Sequence, residues 1–407
     1  MTVRPLAAVV GVGTELVTGL RTDTNTVEIA TTLFGVGFRV TETVRLADDI
    51  ELISGTLRRL TAFCSLVVVT GGLGPTHDDI TREAAAHALG LTLTRNVAIE
   101  ERLAGVAALH DDRDARLQLL KQADVLDSAT VIMPTTGTAP GQVVATPGGT
   151  LVILPGPPHE MRPMLTGFLA ATSQSVPPIR LRCAGTTESD TQVRVQRILQ
   201  RHPGIALTVL ASPAEVEVVL FDDGAGIHAV ARAATDVRDA LGDACYSDDG
   251  STLAETVVRL ARERGRRIAL AESCTGGMVA AALTDVAGSS DVFVGGIVAY
   301  SDSTKVSVLD VDETTLATHG AVSPETAAEM ALGAARRLDA DLALSVTGIA
   351  GPAGGTPDKP VGTVWFGLAQ AGSCRTWQHT FSGDRVGVRL RATVHAMDAL
   401  RQQLQMD

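Results

Sequence analysis

Ala271-Glu272-Ser273-Cys274-Thr275-Gly276-Gly277 sets a hydroxyl where an apolar strand gives way to a helix. Residues 267–270 read as a short buried strand, and 278–286 form an Ala-rich apolar run of helical character. Ser273 is therefore expected at the strand's carboxyl end, near the first turn of a helix. Unpaired N–H groups and the positive end of the helix dipole favour negative charge there, and Gly276 and Gly277 let a ligand approach the backbone closely. Such a place suits a nucleophile and its oxyanion hole. A Ser/Thr helix cap with glycines for packing accounts for the same residues, and this segment alone does not separate the two.

Two residues downstream bear on that choice. Tyr300 ends the apolar run 292–300, and Lys305 follows in Ser301-Asp302-Ser303-Thr304-Lys305. A serine hydroxyl is a weak nucleophile until a neighbour takes its proton, and a desolvated neutral lysine or an adjacent tyrosine can serve. Lys121, Lys305 and Lys359 are the only lysines among 34 basic residues. Arginine cannot lose its proton usefully, so a lysine in such a chain hints at a role arginine could not fill, although a lone lysine after a strand also reads as a solvated surface charge.

Ala271-Glu272-Ser273-Cys274-Thr275-Gly276-Gly277, Gly288-Ser289-Ser290, Gly296-Ile297-Val298-Ala299-Tyr300-Ser301, His319-Gly320-Ala321-Val322-Ser323 and Thr347-Gly348-Ile349-Ala350-Gly351-Pro352 occur in this order. Together they resemble the carboxyl-terminal domain of the CinA family, which is similar to nicotinamide mononucleotide deamidases. The resemblance implies hydrolysis of the nicotinamide carboxamide to the acid with release of ammonia, without a cofactor. It makes Ser273 the expected nucleophile, with Cys274 the rival, and Tyr300 and Lys305 the expected proton-handling partners. Thr275, Gly276, Gly277, Gly348 and Gly351 are expected to bind substrate. Arg385 and Arg389, in Gly383-Asp384-Arg385-Val386-Gly387-Val388-Arg389, match the family's arginine motif and are expected to hold the nucleotide phosphate, with the choice between them open.

Composition fits a multidomain enzyme. At 407 residues the chain exceeds one typical core, and with 45% hydrophobic and 20% charged residues it is expected to fold throughout. Cys64, Cys183, Cys245, Cys274 and Cys374 are odd in number and lack C-x-x-C spacing, which argues for reduced thiols and against zinc. No signal-peptide layout or membrane-length run is evident, so a cytoplasmic location without a membrane partner is expected. A net charge of −12 and only 2 Trp, 2 Tyr and 8 Phe weigh against nucleic acid as a ligand. The basic cluster at 262–267 surrounds Gly265 and reads as a helix end.

The amino-terminal part has an α/β rhythm: strands at 6–12, 38–46 and 66–70, helices at 24–33 and 49–60. Such alternation predicts a parallel sheet covered by helices, with ligands at the carboxyl ends of strands. Two loops fall there, Gly11-Val12-Gly13-Thr14-Glu15 and Gly71-Gly72-Leu73-Gly74-Pro75-Thr76-His77-Asp78-Asp79. In the second, Gly71, Gly72 and Gly74 allow N–H groups to wrap an anion, Thr76 adds a hydroxyl, and Asp78 with Asp79 suits a hard divalent ion. A Gly-rich turn with Asp79 as a helix cap is the alternative, and His77 reads as a plain loop side chain. This loop, with Gly13-Thr14-Glu15-Leu16 and Leu154-Pro155-Gly156-Pro157-Pro158-His159-Glu160-Met161, resembles the molybdopterin-binding-like domain of CinA proteins. The resemblance implies a divalent-metal-dependent ADP-ribose pyrophosphatase, with Asp79, then Asp78 and Glu15, as metal or base candidates. A pterin-binding ancestry without catalysis is the other implication.

Between these parts, 173–178 reads as a linker, followed by strands at 179–184, 206–211 and 215–221 and helices at 190–201 and 227–241. The layout resembles the K-homology-like spacer of the family but lacks the Gly-x-x-Gly loop of nucleic-acid-binding versions, so a structural or dimer-forming role is expected. Ser247-Asp248-Asp249-Gly250-Ser251 reads as a second linker. In the last part, Ser323-Pro324-Glu325 opens a helix over 324–338. A strand at 342–347 delivers the loop 348–355, whose glycines either bring donors to the substrate or make a tight turn, and 361–369 and 375–381 are expected as antiparallel strands before a terminal helix at 386–404.

The expected organisation is thus α/β with three domains: a molybdopterin-binding-like three-layer domain at 1–172, a small α+β spacer at 173–248, and a deamidase domain with a mixed sheet at 249–407. The expected partners are nicotinamide mononucleotide, ADP-ribose by the same resemblance, and a second copy of the chain. A pyrophosphatase with an inert carboxyl-terminal domain, or a pterin- or nucleotide-binding protein without catalysis, are the competing readings.

Overall fold

The computed structural model describes residues 4–109, 112–172 and 177–406. They form two compact units, Met1–Pro178 with Phe221–Ile227, and Ile179–Leu220 with His228–Asp407.

The first unit contains strands β1 (Leu6–Val12), β2 (Arg39–Leu46), β3 (Leu66–Thr70), β4 (Leu93–Arg95), β5 (Asp124–Leu126), β6 (Thr130–Ile132), β7 (Gly141–Ala145) and β8 (Thr150–Leu154). Its main sheet runs β2-β1-β3-β8-β7-β6. The first four strands in that order are parallel, and β7 and β6 add an antiparallel edge. β3, Leu-Val-Val-Val-Thr, is buried throughout, as a central parallel strand covered on both faces must be. One face packs Ala7, Val9 and Val68 against Ile29, Leu33 and Met161; the other packs Ala8, Val10 and Val69 against Ile53, Leu57 and Ala84. The sheet is therefore sandwiched between helices on both sides. Asp49 starts the helix Ile50–Thr61 by accepting from the N–H groups of Glu51 and Leu52.

The second unit begins with a four-stranded sheet of β9 (Ile179–Ala184), β10 (Ile205–Ser212), β11 (Glu215–Asp222) and β12 (Cys245–Ser247), ordered β10-β11-β9-β12. β12 corrects the reading of Ser247 as linker: Cys245 and Ser247 pair with Cys183 and Arg182 of β9. Three residues carry too little periodicity to announce a strand. Of the linker read at 173–178, residues 173–176 lie outside the described residues.

The remaining sheet comprises β13 (Ile268–Glu272), β14 (Phe293–Val298), β15 (Leu342–Gly348), β16 (Thr363–Gln370) and β17 (Ser373–Thr380), ordered β14-β13-β15-β16-β17. β13 is parallel to both neighbours, and β15, β16 and β17 are antiparallel, so the sheet is mixed as expected. Alternation along β13 sends Ile268 and Leu270 to a core shared with the helices Leu253–Arg264 and Arg385–Met406. Ala269 and Ala271 face Met330, Ala331 and Ala334 of the helix Pro324–Arg337. That helix starts where Ser323 accepts from the Thr326 N–H, with proline in the first turn. No helix among the described residues is long and apolar enough to cross a membrane.

Candidate active site

Ser273 leaves the carboxyl end of β13 with its N–H bonded to Val346 O of β15 at 2.8 Å. It is 8% exposed and faces a cavity of about 190 Å3 whose wall includes Tyr300, Asp302, Lys305, Thr347 and Arg385. The cavity sits where β13 and β15 end, the position at which α/β sheets offer loops and helix termini to ligands. Residues 32 positions apart in sequence, Ser273 and Lys305, meet here because β14 returns parallel to β13.

Lys305 is 1% exposed, so it is no surface charge. The helix Asp302–Leu309, capped by Ser301, turns its side chain inward, where Nζ donates to Tyr300 O at 3.2 Å. Asp302 lies 3.6 Å from Nζ and favours the ammonium, but burial outweighs it and lowers the lysine pKa below its ordinary value. The Cys274 thiol is pushed up to about 12, chiefly by burial, which leaves it protonated and a poor nucleophile at neutral pH.

Tyr300 and Arg385 meet across the mouth. Arg385, the first residue of the terminal helix, donates from Nη2 to the Tyr300 hydroxyl and from Nη1 to Gly351 O at 2.8 Å. Gly348 lines the cavity, whereas Gly351 takes part through its carbonyl. Arg389 is placed differently. Its Nε and Nη2 donate to the carbonyls of Cys274 and Thr275 at 3.1 and 2.8 Å, so it braces the nucleophile turn, and of the two arginines only Arg385 lines the cavity.

The expected oxyanion hole at the helix N-terminus requires correction. Glu272, 1% exposed, turns back over the helix Met278–Thr284: its Oε2 accepts from the N–H groups of Gly277 and Val279 at 2.9 and 3.1 Å, and its Oε1 from Ala280 at 2.8 Å. The donors and the dipole are thus already satisfied by a carboxylate from the chain itself. Each such charge-assisted bond contributes about 1.5–3 kcal/mol, which offsets the cost of burying the charge. Thr275, Gly276 and Gly277 do not line the cavity; Gly276 and Gly277, at φ 61° and 94°, give the backbone its left-handed turn into the helix. Sequence reading missed Glu272 because an acid at a strand end ordinarily faces solvent. Its position five residues before a Gly-Met-Val helix start was the available signal.

In the first unit, the loop 71–79 has the close approach its glycines predicted: a Cβ at Gly71 would lie 2.2 Å from Val12 O. Asp79 is not a helix cap, since the helix Thr81–Leu89 starts from Ile80. Its Oδ2 instead accepts from the Thr76 N–H at 2.8 Å and from the Thr76 hydroxyl. Beneath the loop, Arg82, 1% exposed and unremarked in the sequence, donates to Leu73 O at 3.1 Å and to Gly74 O at 3.4 Å. Among the described residues no three His, Cys, Asp or Glu side chains gather to hold a metal ion. Asp78 and Asp79 lie in this loop, and Glu15 lies in the short helix Thr14–Val17.

Comparison with known proteins covers nearly the whole chain. The family described as "CinA C-terminal domain" matches residues 250–404, and "Probable molybdopterin binding domain" matches residues 8–174. A CinA-like protein of Geotalea uraniireducens is 38% identical over 98% of this chain and 97% of that protein. One of Thermotoga neapolitana is 36% identical over 98% of each. A crystal structure of a competence/damage inducible protein from Agrobacterium tumefaciens, 40% identical, covers 37% of this chain and 96% of that one, with a TM-score of 0.35. With two such relatives aligned from end to end, the chain belongs to the CinA family.

Proposed function

We propose that the carboxyl-terminal part is a serine-type amidohydrolase that converts nicotinamide mononucleotide to nicotinic acid mononucleotide and ammonia. The observation that carries this reading is the buried Lys305, with its depressed pKa, on the wall of the cavity that Ser273 faces. A neutral amine takes the Ser273 proton as Oγ attacks the carboxamide carbon. The C–O bond forms, the carbonyl electrons move to oxygen, and the C–N bond then breaks as Lys305 returns the proton to the departing nitrogen. Water hydrolyses the resulting ester and restores the serine.

Because Glu272 occupies the helix N-terminus, the oxyanion falls to the N–H of Cys274, which lines the cavity beside Ser273 and stands outside the set drawn to that carboxylate. Arg385 is the phosphate ligand, and Tyr300, bonded to it, orients the substrate and relays protons at the mouth. The chemistry needs no metal or organic cofactor. The loop 71–76 is read as a nucleotide-phosphate binding element through Gly71, Gly72 and Gly74. Incubating purified full-length protein with nicotinamide mononucleotide and following both ammonia and the acid nucleotide tests the reading; absence of both products refutes it.

A further inference from the structure

We infer that Glu272 is a positioning residue for the nucleophile, holding the Ser273 turn in its reactive shape by binding the far end of that turn with its own side chain. The inference rests on the amidohydrolase reading. The turn 273–276 has its two ends tied independently. Its entry is fixed by the sheet: Ser273 N–H bonds Val346 O, and Ala299 N–H bonds Glu272 O at 2.8 Å. Its exit is fixed by the Glu272 carboxylate, which receives Gly277, Val279 and Ala280. One residue therefore contributes both anchors, its backbone to the strand and its side chain to the helix.

The four residues between those anchors are held by three further bonds. Gly276 N–H returns to Ser273 O at 3.1 Å, and Arg389 holds the carbonyls of Cys274 and Thr275 from outside. Gly276 and Gly277 both sit at positive φ, so their own backbone preference does not select this shape. The carboxylate fixes the exit of the turn, and Arg389 braces its middle. Glutamine keeps the length of Glu272 but replaces one oxygen with an NH2 that faces backbone N–H groups. Aspartate keeps the charge but falls short of the three donors. Both substitutions leave Ser273, Tyr300, Lys305 and Arg385 in the chain and act only through the turn.

The test compares full-length wild type with Glu272→Gln and Glu272→Asp, using nicotinamide mononucleotide as substrate. Turnover is expressed per folded molecule, with the folded fraction taken from thermal melts. A displaced nucleophile loses kcat while Arg385 still holds the phosphate, so both variants are expected to lose about 100-fold in kcat with KM within about threefold of wild type. A purely structural glutamate predicts a lower melting temperature with kcat per folded molecule unchanged, and kcat within about threefold of wild type in either folded variant overturns the inference. Should Glu272→Gln fail to fold, Glu272→Asp decides by the same criterion. An inactive wild type defeats the amidohydrolase reading and this inference with it, whereas an active wild type with equally active variants defeats the inference alone.

Discussion

Arg385 Nη2 donates to the hydroxyl oxygen of Tyr300 at 3.0 Å, joining the first turn of the last helix to the loop after β14. A guanidinium cannot accept, so the tyrosine oxygen accepts here and its own proton stays available to substrate or water. The two side chains therefore act as one unit at the mouth of the Ser273 cavity. Arg385→Ala is expected to raise KM for nicotinamide mononucleotide about tenfold or more, the loss of a charge-assisted phosphate contact. Tyr300→Phe should instead fall mainly on kcat, and the double variant should cost less than the sum of the two. Strict additivity in that cycle contradicts the coupling.

Arg389 should behave differently from Arg385 despite lying four residues away. Its donors are spent on Cys274 O and Thr275 O, so Arg389→Ala leaves two carbonyls of the turn without their partner. Lower thermal stability, by about 1–3 kcal/mol, and lower kcat are expected, with KM little changed. Steady-state kinetics beside thermal melts separates the two arginines; a large rise in KM for Arg389→Ala alone would reverse their assigned roles.

The position of Lys305 sets a pH dependence. Burial disfavours the ammonium, so the folded chain releases this proton below the ordinary lysine value of 10.5. As a base the neutral amine is the active form, and kcat/KM should rise with pH and level off before 10.5 is reached. Lys305→Arg keeps a cation but cannot supply a neutral amine, and it is expected to lose turnover; activity within about threefold of wild type excludes Lys305 as the obligatory base. Stability carries the same sign. Between the folded pKa and 10.5 the unfolded chain binds more protons, so the penalty of burying Lys305 is fully present below the folded pKa and fades as pH rises toward 10.5. Lys305→Met should thus gain stability relative to wild type at neutral pH, with a gap that narrows in alkali.

A serine mechanism also sets the response to chelation. Because the proposed chemistry uses only side chains and backbone donors, EDTA should leave ammonia release unchanged. Loss of activity on chelation, restored by added divalent metal, contradicts it.

What could be read in the sequence follows a physical pattern. β1, β3 and β15 are buried runs of mostly apolar residues, and Ser323-Pro324-Glu325 carries its cap and first turn in three letters, so these elements lie where their patterns put them. Ser273, Tyr300, Lys305 and Arg385, singled out in the sequence, line one cavity. Less legible were side chains whose meaning depends on what they fold against. Glu272 looks like a surface acid until the helix it caps is placed over it, and Arg389 looks like a phosphate ligand until its fork meets two carbonyls. β12 is three residues long and exists only because β9 offers an edge. In the loop 71–79 the sequence left Asp79 open between helix cap and ligand, and its bond to Thr76 within the same loop shows only once the loop is folded.

The most direct measurement is the rate of ammonia release from nicotinamide mononucleotide by the full-length protein, with Ser273→Ala and Cys274→Ser measured alongside under identical conditions. The account predicts ammonia and nicotinic acid mononucleotide in equal amounts from wild type, near-normal release from Cys274→Ser, and a loss of roughly a thousandfold or more in Ser273→Ala, with its melting temperature nearly unchanged. Release by Ser273→Ala at the wild-type rate, or loss in Cys274→Ser alone, would contradict it.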